Sequence, residues 1–177
     1  MSVLARGAVA VLAAVAVTCG GPSQPPGGAS EVATPEAVIV STVTLYFPGE
    51  DGLLEREARE IADLPDAGPP RIRAIVAELL AGSQNGRVPV IPWPATLHAA
   101  FVDRSGSAYV DLSAPPRGVV EGTATEGALV YGIVHSVVAN CAGVERVQLL
   151  FDGSEVTSLG HLDLSRPLQP RPELVAP

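Results

Sequence analysis

Residues 123–155, TATEGALVYGIVHSVVANCAGVERVQLLFDGSE, carry the most consistent folding pattern in this 177-residue chain. The opening Thr123-Ala-Thr-Glu126 has the form of a capping box, in which a Thr hydroxyl and a Glu carboxylate bind backbone N–H groups at a helix start. The predicted helix ends at Gly143, and a strand follows it. Asp152-Gly153 is a dipeptide typical of a tight β-hairpin turn. This stretch therefore predicts a helix, a strand and a hairpin.

The apolar side chains of this stretch recur at two different spacings. The predicted helix carries one apolar stripe, and the predicted strand one apolar face: Leu129, Ile133, Val134, Val137 and Cys141 on the helix, Val147, Leu149 and Phe151 on the strand. These spacings match the 3.6-residue period of a helix and the two-residue period of a strand. The return strand of the hairpin is predicted over Val156–Leu159. Cys141 is interpreted as a small buried hydrophobic residue.

The chain before this stretch contains further regular elements. Residues 38–47 are β-branched and aromatic with an alternating pattern, which predicts a strand ending before the turn at Pro48–Gly52. Residues 53–63 are open to two interpretations. Their Leu, Glu, Arg and Ala content favours a helix, whereas the short loop before them fits a return strand.

A second helix and a hairpin are predicted next. The helix starts at Pro69 and Pro70 and ends before Gly82. Its apolar face consists of Ile72, Ile75, Val76, Leu79 and Leu80. Residues 97–102 and 108–112 predict a hairpin around a turn at 103–106. The resulting order predicts an α+β fold, a mostly antiparallel sheet with two helices packed on one face.

The amino terminus has the pattern of an export signal. Residues 7–17 form an apolar run of eleven residues after a single basic side chain. As a helix this run would rise about 16 Å, well short of the roughly 30 Å hydrocarbon core of a bilayer. Ala16-Val17-Thr18-Cys19-Gly20 resembles the lipobox of bacterial lipoproteins, in which the cysteine receives a diacylglycerol and becomes the mature amino terminus. The alternative is ordinary signal peptidase cleavage, with Cys19 incidental.

The lipobox resemblance implies an address and a domain organisation. Residues 1–18 are predicted to be a signal peptide, and residues 19–37 a lipidated Cys19 with a disordered tether rich in Gly, Pro, Ser and Thr. The folded domain is predicted over residues 38–168, followed by a disordered tail over 169–177. The protein is expected to be exported and held on the membrane, outside the cytoplasm, by acyl chains such as palmitate on Cys19.

The charge pattern argues against nucleic acid as a partner. The formal net charge is −8, and all eleven basic residues are arginines scattered along the chain. No basic cluster is available to neutralise phosphates, so neither nucleic-acid binding nor adsorption to an anionic lipid surface by charge alone is expected. Contact with the membrane would come through the lipid.

The titratable side chains do not form a recognisable catalytic or metal pattern. The three histidines, His98, His135 and His161, are far apart in sequence and lack metal-ligand spacing. His161-Leu-Asp163-Leu-Ser165 has the residue types of a hydrolytic triad, but triad members usually come from separate elements. The sequence therefore predicts no enzyme activity, no metal and no cofactor.

Three other residues have structural interpretations. Asp103 and Asp111 flank the predicted hairpin, where Asp is ordinary at a turn and a strand end. Trp93 lies between two prolines, where we expect it to cover an edge of the core, although a binding-surface aromatic is the alternative.

The order of elements and several short motifs resemble the GerMN domain of sporulation and spore germination proteins. The resemblance covers about residues 43–168, and its motifs are Leu45-Tyr46-Phe47 with the acidic-Gly turn, Leu79-Leu80-Ala81-Gly82, Val110-Asp111-Leu112-Ser113, the 126–138 helix, 144–153 and 160–168. It implies an α+β, ring-building-like fold without enzymatic activity. It also implies that residues 53–61 form a strand, with Arg59 at a recurrent basic position.

The resemblance and the lipobox together suggest a function. We expect a lipid-anchored, extracytoplasmic interaction module that helps to assemble a cell-envelope complex, with envelope proteins as partners. A sheet edge or the Trp93 region would be the contact surface. The alternative is a module that binds a small envelope ligand or a cell-wall glycan, with a hydrolase as a distant third. Because only one GerMN unit is present, whereas GerM carries two, a role in sporulation does not follow automatically.

Overall fold

A computed structural model describes residues 38–116, 119 and 123–177. The predicted signal peptide, Cys19 and the tether up to residue 37 lie outside the described residues. None of the helices in the described ranges is long and apolar enough to cross a membrane.

The fold begins with a long hairpin of strands β1 (Val40–Pro48) and β2 (Leu54–Ala62), which pair in unbroken antiparallel register. Val43, Leu45 and Phe47 of β1 are buried, as the alternation predicts. The ambiguous stretch is thus a strand, as the family resemblance implied. Alternate residues of β2 point to the interior beside the apolar face of β1, and this tertiary pairing overrides the local helix propensity.

Helix α1 (Gly68–Ala81) and the hairpin of β3 (Leu97–Val102) and β4 (Ser107–Leu112) follow as predicted. The predicted apolar face of α1 is buried, except that Leu80 is only partly covered. Gly82, with a φ of 86°, follows the last helical residue and donates its N–H to the carbonyl of Leu79. The helix therefore stops at the glycine that the sequence indicated.

Helix α2 (Thr123–Asn140) links β4 to a parallel neighbour, β5 (Arg146–Phe151), in a sheet of order β3-β4-β5-β6. The prediction of a mostly antiparallel sheet holds for the other strand pairs, but not for this central one. A parallel pair requires a crossover long enough to return the chain to the same end of the sheet, and α2 supplies it.

The hairpin after β5 is shorter than predicted. Asp152 and Gly153 adopt positive φ values of 49° and 74°, as a tight two-residue turn requires. The return strand β6 (Ser154–Glu155) follows at once and spans two residues. The predicted return strand over Val156–Leu159 is therefore wrong. Instead, β7 (Ser158–Leu159) forms a separate small hairpin with β8 (Leu162–Asp163).

Helix α2 is buried on all sides between residues 129 and 137, so the prediction of one apolar stripe was incomplete. The helix packs against β1, β5 and α1. The carboxy-terminal segment, which is the chain after β8 (residues 164–177), lies over His135. Polar residues of the helix, including His135 and Ser136, are therefore also enclosed. A helix that is covered from several directions does not need an amphipathic pattern.

The predicted capping box can be followed only in part, since the Thr123 side chain lies outside the described part of the chain. Glu126 is buried, and its Oε2 accepts the backbone N–H of His161 at 2.9 Å. Gly160 lies so close that a Cβ there would come within 1.7 Å of Glu126 Oε1. Glu126 thus ties the start of α2 to the β7–β8 turn.

The tail at residues 169–177, predicted to be disordered, packs on the domain instead. Just before it, Leu168 forms a backbone bridge with Val147 of β5. Within it, Pro172–Leu174 form a 3-10 helix, and Val175 bridges to Leu54 at the start of β2. The proline-rich composition suggested disorder, but prolines suit an extended segment that bonds to a sheet edge only at intervals.

Candidate functional site

Polar side chains of α2 close the middle of the outer edge of β1, at Thr44 and Tyr46. Asn140 accepts the N–H of Thr44 at 2.9 Å and donates to the Thr44 carbonyl at 2.7 Å. Ser136 Oγ accepts the N–H of Tyr46 at 2.9 Å. These side chains lie four residues apart and so share one face of the helix. They form hydrogen bonds with backbone groups that could otherwise pair with another strand.

The outer edge of β2 is open over most of its length. The carbonyl of Leu54 points away from β1 and accepts the N–H of Ala176. Because the backbone groups of a strand alternate in direction, the N–H and C=O groups of every second residue after Leu54 also point away from β1. Among the described residues, no backbone group pairs with the outward groups of Arg56, Ala58, Glu60 or Ala62. Their side chains are exposed. This open edge, residues 56–62, is the accessible strand edge of the hairpin.

A buried charge network lies under the inner face of the same strand. Glu57, only 2% exposed, accepts hydrogen bonds from Arg59 at 2.6 Å, Ser83 Oγ at 2.5 Å and the N–H of Gln84 at 2.9 Å. Arg87 adds a fourth contact at 3.1 Å. The two carboxylate oxygens are therefore shared among charged and neutral donors, as a buried ion requires.

Arg59 connects this network to α1. Its guanidinium also contacts Glu78 at 2.6 Å and the carbonyl of Gly82 at 3.0 Å. Burial alone would raise the pKa of Glu57, but the hydrogen bonds from Ser83, Gln84 and Arg59 outweigh it and lower the pKa from 4.5 to about 2. The network fixes the end of α1 and the loop after it against β2, and we interpret it as structural.

The carboxy-terminal segment borders an open cleft of about 460 Å3. The cleft is lined by Tyr131 of α2, Asp163 of β8 and residues 166–171 of the carboxy-terminal segment. The Arg171 guanidinium lies over the Tyr131 ring, 5.0 Å from its centroid. Nε2 of the buried His135 lies 3.1 Å from both the N–H and the carbonyl oxygen of Arg171, and the tautomer of the ring decides which of them it bonds. Burial lowers the pKa of His135, which favours the neutral ring.

The structure does not bring the triad-like residues into a catalytic arrangement. Asp163 accepts the N–H of Ser165, its own neighbour in a turn, at 2.9 Å. His161 is exposed, and its Nδ1 lies 3.5 Å from Glu126. In the described ranges, no hydrogen bond joins His161 to Asp163 or to Ser165.

The other predicted residues have structural surroundings. Asp103 accepts the N–H groups of Ser105 and Ser107 within its turn, and Asp111 accepts the N–H of Gly153 at 2.9 Å. Trp93 is 8% exposed and belongs to the core, which confirms the core interpretation.

The histidines and Cys141 do not share a site. His98 is partly exposed, 3.3 Å from Asp152, whereas His135 is buried against the tail. Cys141 is a buried free thiol whose pKa burial raises to about 11, so it behaves as the predicted small hydrophobic residue. Across the part of the chain that the structure describes, no three His, Cys, Asp or Glu side chains group as metal ligands.

The family model for "Germane: Sporulation and spore germination" matches residues 44–157, from β1 to just beyond β6. The chain belongs to the Germane family. The matched region includes both helices, the charge network and the open edge of β2. It ends before the β7–β8 hairpin and the carboxy-terminal segment, so the cleft at residues 163–171 lies largely outside it.

Solved structures with a similar fold include domains of the Bacillus subtilis sporulation protein GerM. Its first GerMN domain has a TM-score of 0.52 and 19% identity, covering 73% of this chain and 97% of that one. The tandem GerMN domains give a TM-score of 0.54 and 18% identity, covering 74% of this chain. This chain matches 46% of the tandem structure, about half its length. At these identities the likeness shows the α+β fold alone.

A crystal structure from Clostridium perfringens, of a protein provisionally named a lipoprotein, matches with a TM-score of 0.49 and 21% identity. The match covers 75% of this chain and 87% of that one. At that TM-score the likeness supports no further conclusion about this chain. No curated protein sequence matches the chain.

The charge network, the open edge of β2 and the cleft do not follow from the patterns described for the sequence. The alternation of Glu55, Glu57 and Arg59 is the one signal that could have pointed to the network, because residues two apart on a strand share a face. The edge depends on what pairs with β2, and the cleft depends on the path of the last residues. Neither follows from a local pattern.

Proposed function

We propose that this Germane-family protein is a lipid-anchored, extracytoplasmic and non-enzymatic module that binds envelope proteins and helps to assemble a cell-envelope complex. Family membership and the lipobox-like residues around Cys19 support the location and the class of function. The open edge of β2 carries the proposal of protein binding. The titratable groups that the sequence suggested for catalysis serve turns and packing instead, which is consistent with a binding role.

The open edge suits the addition of a partner strand. Four outward residues, Arg56, Ala58, Glu60 and Ala62, present unpaired backbone N–H and C=O groups, and a partner strand can gain main-chain hydrogen bonds from them. The carboxy-terminal Val175 already pairs in this way at Leu54, at the end of the same edge. Arg56 and Glu60 place opposite charges along it, so a partner segment with the complementary order of charges would be favoured.

The Ala58→Pro variant tests this edge. Proline removes the outward N–H of residue 58 and obstructs a partner strand, while the bonds between β1 and β2 use the neighbouring residues. Crosslinking in the membrane fraction should recover one or more envelope proteins with the wild type. We expect their recovery to fall at least several-fold with Ala58→Pro.

Ala58→Thr is the matched control, because it keeps the N–H and suits a strand. Both variants must retain a cooperative thermal unfolding transition for the comparison to count. Equal partner recovery with Ala58→Pro and Ala58→Thr would exclude the β2 edge. If the wild type enriches no protein above an unrelated lipoprotein, the interaction proposal itself fails.

Anchoring is tested separately at Cys19. We expect Cys19→Ala to abolish incorporation of labelled fatty acid and to move the protein out of the membrane fraction, since the acyl chains supply the membrane affinity. Cys141→Ala removes the other cysteine, which is buried, and should leave both properties unchanged. Unaltered acylation in Cys19→Ala would refute the lipid anchor at this residue.

A further inference from the structure

The cleft beside the carboxy-terminal segment concentrates positive charge in a protein of net charge −8. Arg166 and Arg171 both line it, and neither forms an ion pair within 4.0 Å with any residue that the structure describes. Asp163 lines the cleft as well; its carboxylate accepts the N–H of Ser165 and is attracted by the charge of Arg166, although the two form no direct ion pair. Neither guanidinium is held in a direct ion pair with a described residue, so both can bind an anionic ligand.

The floor of the cleft adds a buried polar group. Tyr131, whose hydroxyl can donate or accept a hydrogen bond, is only 2% exposed and lines the cleft. Burial raises the pKa of this hydroxyl, which therefore stays protonated as a donor. The exposed amide of Gln169 lies on the same rim.

We propose that this cleft binds a small anionic ligand, a carboxylate or phosphate carried on a hydroxylated, sugar-like body. Planar guanidinium groups bind such anions through paired, charge-assisted hydrogen bonds. The Tyr131 hydroxyl, the Gln169 amide and the Asp163 carboxylate supply the neutral and acceptor groups that sugar hydroxyls and amides use. The volume of about 460 Å3 is sufficient for one or two sugar rings. This ligand site goes beyond the proposed protein binding through β2.

Three related sugars can show whether the cleft prefers a carboxylate or a phosphate. N-acetylmuramic acid carries a carboxylate, N-acetylglucosamine 1-phosphate carries a phosphate, and N-acetylglucosamine carries neither. Calorimetric titration of the full-length protein in detergent, at low salt, should detect at least one of the two anions. We expect that anion to bind at least tenfold more tightly than N-acetylglucosamine. The preferred probe identifies the source of the anion.

Arg166→Gln and Arg171→Gln are each expected to weaken binding of the preferred anion about tenfold or more. Arg73→Gln changes an exposed arginine of α1 outside the cleft and should bind like the wild type. Because Arg171 also lies over Tyr131, Arg166→Gln provides the variant without that structural contact. The proposal is overturned if neither anion binds, if the neutral sugar binds as tightly, or if Arg166→Gln leaves the affinity unchanged.

Discussion

Replacing Glu57 by glutamine is expected to lower the free energy of unfolding by about 3 kcal/mol, because it removes one member of a buried ion cluster. The side chain keeps its size, but an amide N–H2 group would then face donors from Arg59, Ser83 or Arg87. Arg59, itself only 4% exposed, would keep Glu78 as its remaining carboxylate partner. Chemical denaturation at pH 7 measures the difference directly.

Glu60→Gln is the matched control on the same strand, since Glu60 is exposed and points away from the network. We expect it to change the unfolding free energy by no more than about 0.5 kcal/mol. A loss in Glu57→Gln as small as in the control would mean that the network does not stabilise the fold.

The pH dependence of the unfolding free energy provides a second test of the role of Glu57. The folded pKa of Glu57 is about 2, against 4.5 for the ordinary group. Its stabilising contribution is therefore fully present above about pH 4.5 and is lost as the pH falls towards 2. The stability difference between wild type and Glu57→Gln should shrink over this interval by an amount on the order of 3 kcal/mol. A constant difference from pH 6 to 2 would contradict the lowered pKa.

Replacing Gly132 by alanine is expected to destabilise the protein by about 1–3 kcal/mol, even though alanine is the better helix former. A Cβ at this position would lie 2.9 Å from Cγ1 of Val90 and 3.1 Å from the carbonyl oxygen of Tyr46. The branched Val90 side chain and the β1 backbone have little room to move. The glycine thus lets α2 approach β1 closely enough for Ser136 and Asn140 to close its edge.

Gly127→Ala is the opposite case in the same helix. A Cβ there would meet nothing within 4 Å, so only the gain in helix propensity remains. We expect this variant to be more stable than the wild type by up to about 1 kcal/mol. Thermal unfolding of both variants shows whether each substitution raises or lowers the stability of the protein. If Gly132→Ala were stabilised as much as Gly127→Ala, the close contact between α2 and β1 would not exist in solution.

Most of the elements could be predicted because their patterns are local. The alternation in β1, the glycine after α1 and the Asp152-Gly153 turn each depend on neighbours within a few residues. The position of the return strand after Gly153 was predicted wrongly. Its start and length depend on which residues pair with β5 in the folded sheet, and the local sequence does not encode that pairing. The tail was misjudged because its order comes from distant contacts, such as the bond between Arg171 and His135.

The candidate surfaces were less accessible to sequence analysis. The family resemblance points to Arg59 but not to its partner Glu57. A charged residue in a strand is ordinarily exposed, but here Arg59 and the distant loop at residues 83–87 together supply the partners of a buried Glu57. Arg166 and Arg171 were likewise two of several scattered arginines until the path of the tail brought them to one cleft.

The sequence by itself determined the α+β class, both helices, the β3–β4 hairpin and the membership of a family with this order of elements. It did so because periodicity, glycine stops and turn residues are properties of short segments. Only the tertiary structure decided that β4 and β5 are parallel and that α2 is enclosed. It also decided that α2 closes the middle of the β1 edge, while most of the β2 edge is open. Those features depend on which backbone groups and charges meet across long stretches of chain, and no local pattern encodes that meeting.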